Sequence, residues 1–307
     1  MTGTRTFDLV IKRGTIIDGL QTPRYRADIG IKDGRIVEIS SNLPEKNASQ
    51  VIDAQGKIVA PGFVDLHTHY DSQIFWDPWC TMSGWHGVTS VVISNCGFGF
   101  APCKPEDRER TMLSLVRNEA VPLETMRQGM PWDWVTFKEY LDSVERTPKG
   151  VNVMSFVPLA PLYGYVVGSD EAKRRPATDD ELQQMCDLLI EGMEVGGCGI
   201  SDGGAHTKFV TTGRYPTELL GYWVREHNIM TLEEAHWRLS ALPAQAAGLK
   251  GRGSIAEDMP ADILVYDYEA LESLPQERVW DYPAGEWRLI QKAKGYDYII
   301  VNGIHLH

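Results

Sequence analysis

The chain is short of every feature that would mark a secreted, membrane-bound or nucleic-acid-binding protein. Its five cysteines (Cys80, Cys96, Cys103, Cys186 and Cys198) are odd in number and include no Cys-x-x-Cys pair. A disulfide scaffold is therefore not expected. The opening Met1-Thr-Gly-Thr-Arg-Thr-Phe-Asp8 lacks the apolar stretch of a signal peptide, and no uninterrupted apolar run approaches the length of a membrane helix. A cytoplasmic location is the expectation. Positive charge is also scarce, with 30 basic against 42 acidic residues and a formal charge of −12, which argues against a general nucleic-acid or anionic-membrane surface. There is no low-complexity tract and no internal repeat. What is present is a globular composition: 307 residues, 43% of them hydrophobic, enough for one large domain or two modest ones.

Residues 7 to 60 read as short strands punctuated by turns: Phe7 to Lys12, Thr15 to Asp18, Asp28 to Lys32, Arg35 to Ile39 and Val51 to Ile58. Asp33-Gly34 between two of them is a hairpin signal. Asp262 to Tyr266 and Tyr298 to Asn302 have the same character, so the two chain ends are expected to pair into one small β-sandwich. Between them, strands alternate with helices, the pattern of a parallel α/β architecture. Val88 to Ser94, Val151 to Val157 and Cys198 to Asp202 are the strand candidates. Thr-x-x-Glu capping boxes at Thr136, Thr178 and Thr231 open three helices. In the second, Leu182, Met185, Cys186, Leu189 and Met193 form one apolar stripe, read as core packing. The resulting division is residues 1–60 and 251–307 for the sandwich and 61–250 for the α/β part.

The chemistry concentrates at strand ends. Pro61-Gly-Phe-Val-Asp-Leu-His67-Thr-His69 places a His-x-His pair at the end of an apolar run. Residues two apart on a strand project to the same side and can grip one metal ion. Val91-Val-Ile-Ser-Asn-Cys96-Gly97 places a cysteine just past a second apolar strand, where its thiolate is a strong zinc ligand, or, taken alone, a small buried hydrophobe. Ser201-Asp202-Gly-Gly-Ala-His206 ends a third. Asp202 is the candidate general base, able to take a proton from a metal-activated water and return it to a leaving nitrogen; the bland alternative is an Asp-Gly-Gly turn. His206 lies close by in sequence with its role open. His227 and His236 fall on helices and are assigned to surface or core packing, and His305 with His307 is an incidental pair in the tail.

With these residues in view, the chain resembles the amidohydrolase superfamily, and most closely the N-acyl-D-amino-acid deacylases, or D-aminoacylases. The resemblance runs through Asp8-Leu-Val-Ile-Lys-Arg-Gly-Thr-Ile-Ile-Asp18-Gly19, Ala60 to His69, His86-Gly-Val-Thr89 and Asn95-Cys96-Gly97. It resumes at Ser201 to His206, Leu242-Pro-Ala-Gln245, Gly248 to Gly253 and Pro260-Ala-Asp-Ile-Leu264. It implies a metal-dependent (β/α)8 barrel beside the sandwich, and one or two Zn2+ ions with His67, His69 and Cys96 as ligands, Cys96 in the metal-bridging place. Asp202 takes the place of the catalytic aspartate on the last barrel strand. The implied substrate is a small N-acyl-D-amino acid, with no nucleic acid or membrane as partner.

The resemblance is also interrupted. Gly196 to Ile200, similar to the end of the fourth barrel strand, runs directly into Ser201-Asp202, similar to the end of the eighth, so strands five to seven are expected to be missing. Pro61 to Gly248 holds 188 residues, against the roughly 200–250 of a whole barrel. Two further metal-binding histidines of the family have no match here, and the tail after Ile299-Ile-Val-Asn-Gly303 is expected to lack a family hairpin. The expectation is therefore a zinc amidohydrolase with an incomplete barrel. Its rivals are a catalytically impaired or inactive remnant and a cyclic-amide hydrolase of the hydantoinase or dihydropyrimidinase kind.

Overall fold

The structure, a computed structural model, describes residues 7–195 and 212–306. The strand expected over Cys198 to Asp202, with Asp202 and His206 themselves, lies outside the described residues. No helix among those described is long and apolar enough to cross a membrane.

Residues from both chain ends build one eight-stranded sheet. Its strands are β1 (Phe7–Ile16), β2 (Tyr25–Lys32), β3 (Arg35–Ser40), β4 (Ala48–Asp53) and β5 (Ile58–Pro61). The C-terminal half adds β9 (Ile263–Tyr266), β12 (Tyr296–Val301) and β13 (Ile304–His305). The order is β13-β12-β9-β5-β1-β2-β3, with β4 on β1. β1 is central because Leu9, Val10 and Ile11 are consecutively apolar and buried, serving both faces of the sheet. The two short strands expected over Phe7 to Asp18 are thus one, carried past an irregularity at Arg13 (φ 60°). The single strand expected over Val51 to Ile58 is two, broken by a turn that uses Gly56 at φ 79°. Asp33-Gly34 makes the expected tight hairpin, both residues at positive φ and Lys32 opposite Arg35. The partition of the chain at residues 60 and 250 remains a proposal.

A second, parallel sheet carries the α/β part: β6 (Phe63–Asp65), β7 (Val88–Ile93) and β8 (Asn152–Ser155), with β7 in the middle. All six residues of β7 are buried, as a strand covered on both faces requires. The helices are α1 (Thr81–Gly84), α2 (Arg108–Glu119), α3 (Leu123–Gly129), α4 (Phe137–Arg146), α5 (Leu159–Val167), α6 (Asp179–Glu194), α7 (Tyr215–Glu218), α8 (Leu232–Leu239) and α9 (Ala241–Ala246). Leu219–Glu226 continues α7 as a π-helix, and His227, expected on a helix, caps its C-terminal end. A hairpin of β10 (Glu272–Val279) and β11 (Arg288–Lys294) had no counterpart in the sequence reading.

Thr136 with Glu139 and Thr178 with Glu181 close full capping boxes at α4 and α6, and the Thr231 hydroxyl accepts the Glu234 N–H at α8. The stripe on α6 is a correction. Only Met185 and Gly192 of that helix are buried, whereas Leu182 and Met193 are more than half exposed and Cys186 is exposed. Gly192 sits against Val157 and Phe137 and Leu189 packs partly buried against the core, so the helix docks along one edge and turns Leu182, Cys186 and Met193 outward.

Gly62 is where the chain leaves one sheet for the other. Pro61 still pairs with Ile263, the Gly62 N–H donates to the Asp262 carbonyl at 2.9 Å, and the Phe63 N–H donates to the Gly87 carbonyl at 2.9 Å. A Cβ at Gly62 would run into the Thr89 side chain. Gly62→Ala is expected to lose about 1–3 kcal/mol of stability in denaturant unfolding; a variant as stable as the parent would show that this junction can relax.

His86 and Tyr296 tie the parallel sheet to the C-terminal strands. His86 Nε2 donates to the Gln291 carbonyl at 2.9 Å, Nδ1 accepts from Thr217 Oγ1 at 2.7 Å, and the Tyr296 hydroxyl donates to the His86 carbonyl at 3.0 Å. Burial favours the neutral imidazole with the proton on Nε2. Burial pushes its pKa down to about 4. The unfolded chain therefore takes up this proton near pH 6.5 while the folded chain resists until about pH 4. The stability is present above pH 6.5 and is lost as pH falls through that window. His86→Gln is expected to flatten the pH dependence of unfolding between pH 6.5 and 4 by up to about 1.4 kcal/mol per pH unit. An unchanged slope would mean that His86 protonates without cost in the fold.

Candidate metal centre

β6 ends at Asp65, so His67 and His69 lie in the irregular stretch that follows rather than on the strand itself. They are brought to one side by ties to β7 and not by strand pleating. The Thr68 N–H and hydroxyl both donate to the Val92 carbonyl, at 3.1 and 2.7 Å. From the other direction, the buried Asn95 Nδ2 donates to the Thr68 and Val92 carbonyls at 3.1 and 2.8 Å. The backbone then reverses through left-handed conformations at Ser94 (φ 64°) and Cys96 (φ 62°) before Gly97. These conformations are costly for residues with side chains and persist where surrounding bonds enforce them.

The result is convergence. One ligand atom each from His67, His69 and Cys96 lies within 4.8 Å of the others. Cys96 Sγ stands 3.7 Å from His67 Nε2 and 3.1 Å from His69 Nε2. A tetrahedral zinc ion with ordinary Zn–N and Zn–S bonds sets such pairs about 3.5 Å apart. Two imidazoles and a thiolate are also a borderline-soft donor set with room for a fourth position. The residues present fit the metal.

Several carboxyl groups surround the cluster. Glu119, the last residue of α2, is buried with Oε1 3.9 Å from His69 Nε2. It was not anticipated, because a lone Glu at a helix end carries no motif. Asp65 accepts the His67 N–H at 3.0 Å, and burial pushes its carboxyl pKa up to about 6. Asp71 is fully buried and likewise pushed up to about 6. Its Oδ1 accepts from Ser94 Oγ at 2.6 Å, and Ser94 is in turn bonded to Ser155 Oγ on β8 at 3.0 Å. Among the described residues no hydrogen-bond partner reaches Asp71 Oδ2.

Among the described residues, the histidines set aside in the sequence are not part of this cluster. His236 is fully buried on α8, with Nε2 2.7 Å from the Tyr266 hydroxyl and burial pushing its pKa down to about 3. His227 is exposed beside Tyr222 and Trp223. His305 is exposed on β13 against Tyr298, and His307 lies outside the described residues.

A fold of strands and helices with this cluster at the ends of adjacent parallel strands defines a class, and comparison agrees: residues 50–218 match the model of the Amidohydrolase family, to which the chain belongs. Over 200 residues it is 36% identical to a D-aminoacylase of Alcaligenes xylosoxydans xylosoxydans, a match covering 65% of this chain and 38% of that protein. The chain thus spans less than two fifths of the curated relatives it matches. Its fold resembles the crystal structure of a D-aminoacylase at TM-score 0.76, 19% identity, and 97% and 96% coverage of the two chains. It resembles equally, at TM-score 0.76 and 20% identity over the same shares, the N-acyl-D-glutamate deacylase from Bordetella bronchiseptica, a structure complexed with zinc and a phosphonate inhibitor.

Asn95 is expected to position the ligands without touching the metal. Asn95→Leu keeps the volume but removes both donors to the Thr68 and Val92 carbonyls, and zinc affinity should fall about 10–100-fold, the usual cost of losing such support. Competition against a chromophoric chelator measures it. An unchanged affinity would assign the geometry to the backbone alone.

Proposed function

We propose that this chain is a zinc-dependent amidohydrolase that cleaves N-acyl-D-amino acids to a D-amino acid and a carboxylate. The observation that carries the reading is the meeting of His67, His69 and Cys96 within metal-binding distance. The family membership and the D-aminoacylase relative support the reaction class, and the zinc named for the Bordetella deacylase supports the metal. Zinc in such a site supplies a Lewis acid and an activated water.

The chain's own part is to hold and to shuttle. His67, His69 and Cys96 would hold the metal, with Thr68 and Asn95 fixing their directions. Glu119, beside His69, adds negative charge that favours a cation at the cluster. Asp202 is proposed to accept the proton of the attacking water and deliver it to the departing nitrogen. N-acyl-D-amino acids enter as small-molecule substrates, and a cytoplasmic setting is part of the proposal.

Three ligands are fewer than the family arrangement implies, and a barrel without strands five to seven would admit water, weakening electrostatic stabilisation of the transition state. Turnover is therefore expected to be far below that of a full-length D-aminoacylase. The test is purified protein with zinc quantified per chain, and initial rates on paired N-acyl-D- and L-amino acids. Slow, D-selective hydrolysis that chelation, Cys96→Ala and Asp202→Ala each abolish supports the proposal. A zinc-loaded chain with no hydrolysis would favour the inactive remnant, and turnover indifferent to Asp202→Ala would remove that residue's role.

A further inference from the structure

The outward side of α6 is an apolar ridge. Leu182, Ile190 and Met193 are each more than half exposed, and Cys186 is exposed between them. They recur at helical spacing, turned away from the buried Met185 and Gly192. Monomeric proteins rarely leave such a contiguous row of large apolar side chains in water. Asp180, Asp187 and Glu194 repeat every seven residues alongside it, and α6 contains no Lys or Arg. Glu181 is paired with Arg175 at 2.7 Å. Among the described residues, no cation pairs with the row of Asp180, Asp187 and Glu194.

A surface of opposite charge is reached across α5. Leu162 and Tyr165 of α5 border α6 at Leu188 and Gly192, whereas Tyr163 and Gly164 line a cavity of about 570 Å³ that α5 shares with α2. The outward face of α2 contributes Arg110, Leu113, Ser114 and Arg117, spaced at i, i+3, i+4 and i+7. Lys104 and Lys173 add positive charge, against the single carboxylate of Asp107. Arg110 pairs with the exposed Asp170 at 2.6 Å, a surface contact that another carboxylate can replace at little cost. Lys104 lies 5.3 Å over the Tyr165 ring, which leaves its charge uncancelled. In a chain of net charge −12, this is an unusual concentration of cations.

The two surfaces agree in sign and in repeat. Arg110 and Arg117 stand seven residues apart on α2, the spacing of the α6 carboxylates, which is about 10.5 Å along either helix. An α6 helix laid along α2 can therefore set carboxylates against guanidinium groups while Ile190 and Met193 cover Leu113 and the aromatic wall of the cavity. Within its own chain α6 packs on α5 and not along α2, so the matching helix must come from another molecule. Two α6 ridges laid on each other would bring like charges together, which disfavours direct α6–α6 pairing.

We propose that two copies of this chain associate about a two-fold axis, each laying α6 into the α2–α5 groove of the other. Such an isologous interface makes every contact twice. The apolar ridge supplies buried area, and the charged rows set the register.

Sedimentation equilibrium of the full-length chain is expected to show a reversible monomer–dimer equilibrium that salt weakens. Ile190→Glu, at an exposed position, should raise the dissociation constant about tenfold or more. The decisive arm reverses each row separately, with Asp187→Lys and Glu194→Lys in one variant and Arg110→Glu and Arg117→Glu in the other, each keeping the circular dichroism of the parent. Either variant alone should lose the dimer, because its two faces now carry the same sign. An equimolar mixture should return to within about threefold of the parent's dissociation constant. A parent chain that stays monomeric at every concentration overturns the proposal, and protection of Cys186 from a maleimide in that monomer would identify another segment of the same chain as the cover. A dimer that survives either reversal, or folded variants whose mixture stays monomeric, overturns it as well.

Discussion

The carbonyl of Val92 is the constraint on which the centre depends. It receives the Thr68 N–H, the Thr68 hydroxyl and the Asn95 carboxamide, and so binds the turn that carries both histidines to the turn that carries the cysteine. Neither turn has regular secondary structure to hold it. A shift of one residue between β6 and β7 would move the histidines away from Cys96, because the pairing of Val64 with Ser90 and Asp65 with Val91 sets where the two strand ends stand. Gly62 contributes from behind, since only a residue without a side chain leaves room for Thr89 at the point where β6 begins.

The electrostatic setting follows from the same burial that makes the strands rigid. Asp65, Asp71 and Glu119 are all withdrawn from water around the cluster. Carboxylates in such surroundings resist ionisation unless positive charge is nearby, as the raised pKa values of the two aspartates record. A dication at His67, His69 and Cys96 would provide that charge. The acidic surroundings and the metal-binding donor set are thus complementary.

How much of this was legible in the sequence depended on whether the signal was local. Thr136 and Thr178 announced their helices because a capping box is a contact within four residues, and Asp33-Gly34 announced its hairpin because the turn's backbone demands those residues. His67, His69 and Cys96 could be grouped because each follows an apolar strand, although the ties that orient them were not visible. Glu119 could not be found, since its place beside His69 is a contact between residues fifty apart in the sequence. The stripe on α6 failed for a related reason: periodicity shows that a face is apolar and says nothing of what covers it.

The sharing of one sheet between the two chain ends has a consequence for biosynthesis. β5 pairs with β9 through Pro61 and Ile263, partners separated by two hundred residues of intervening chain. At ordinary translation rates, roughly 10–40 s pass between the emergence of the first partner and that of the second. Throughout that interval one edge of β5, with buried residues Ile58 to Pro61, has no strand to accept it. Closure across so long a separation makes this a slow-folding, high-contact-order topology, in which the nascent N-terminal strands wait exposed for their partner.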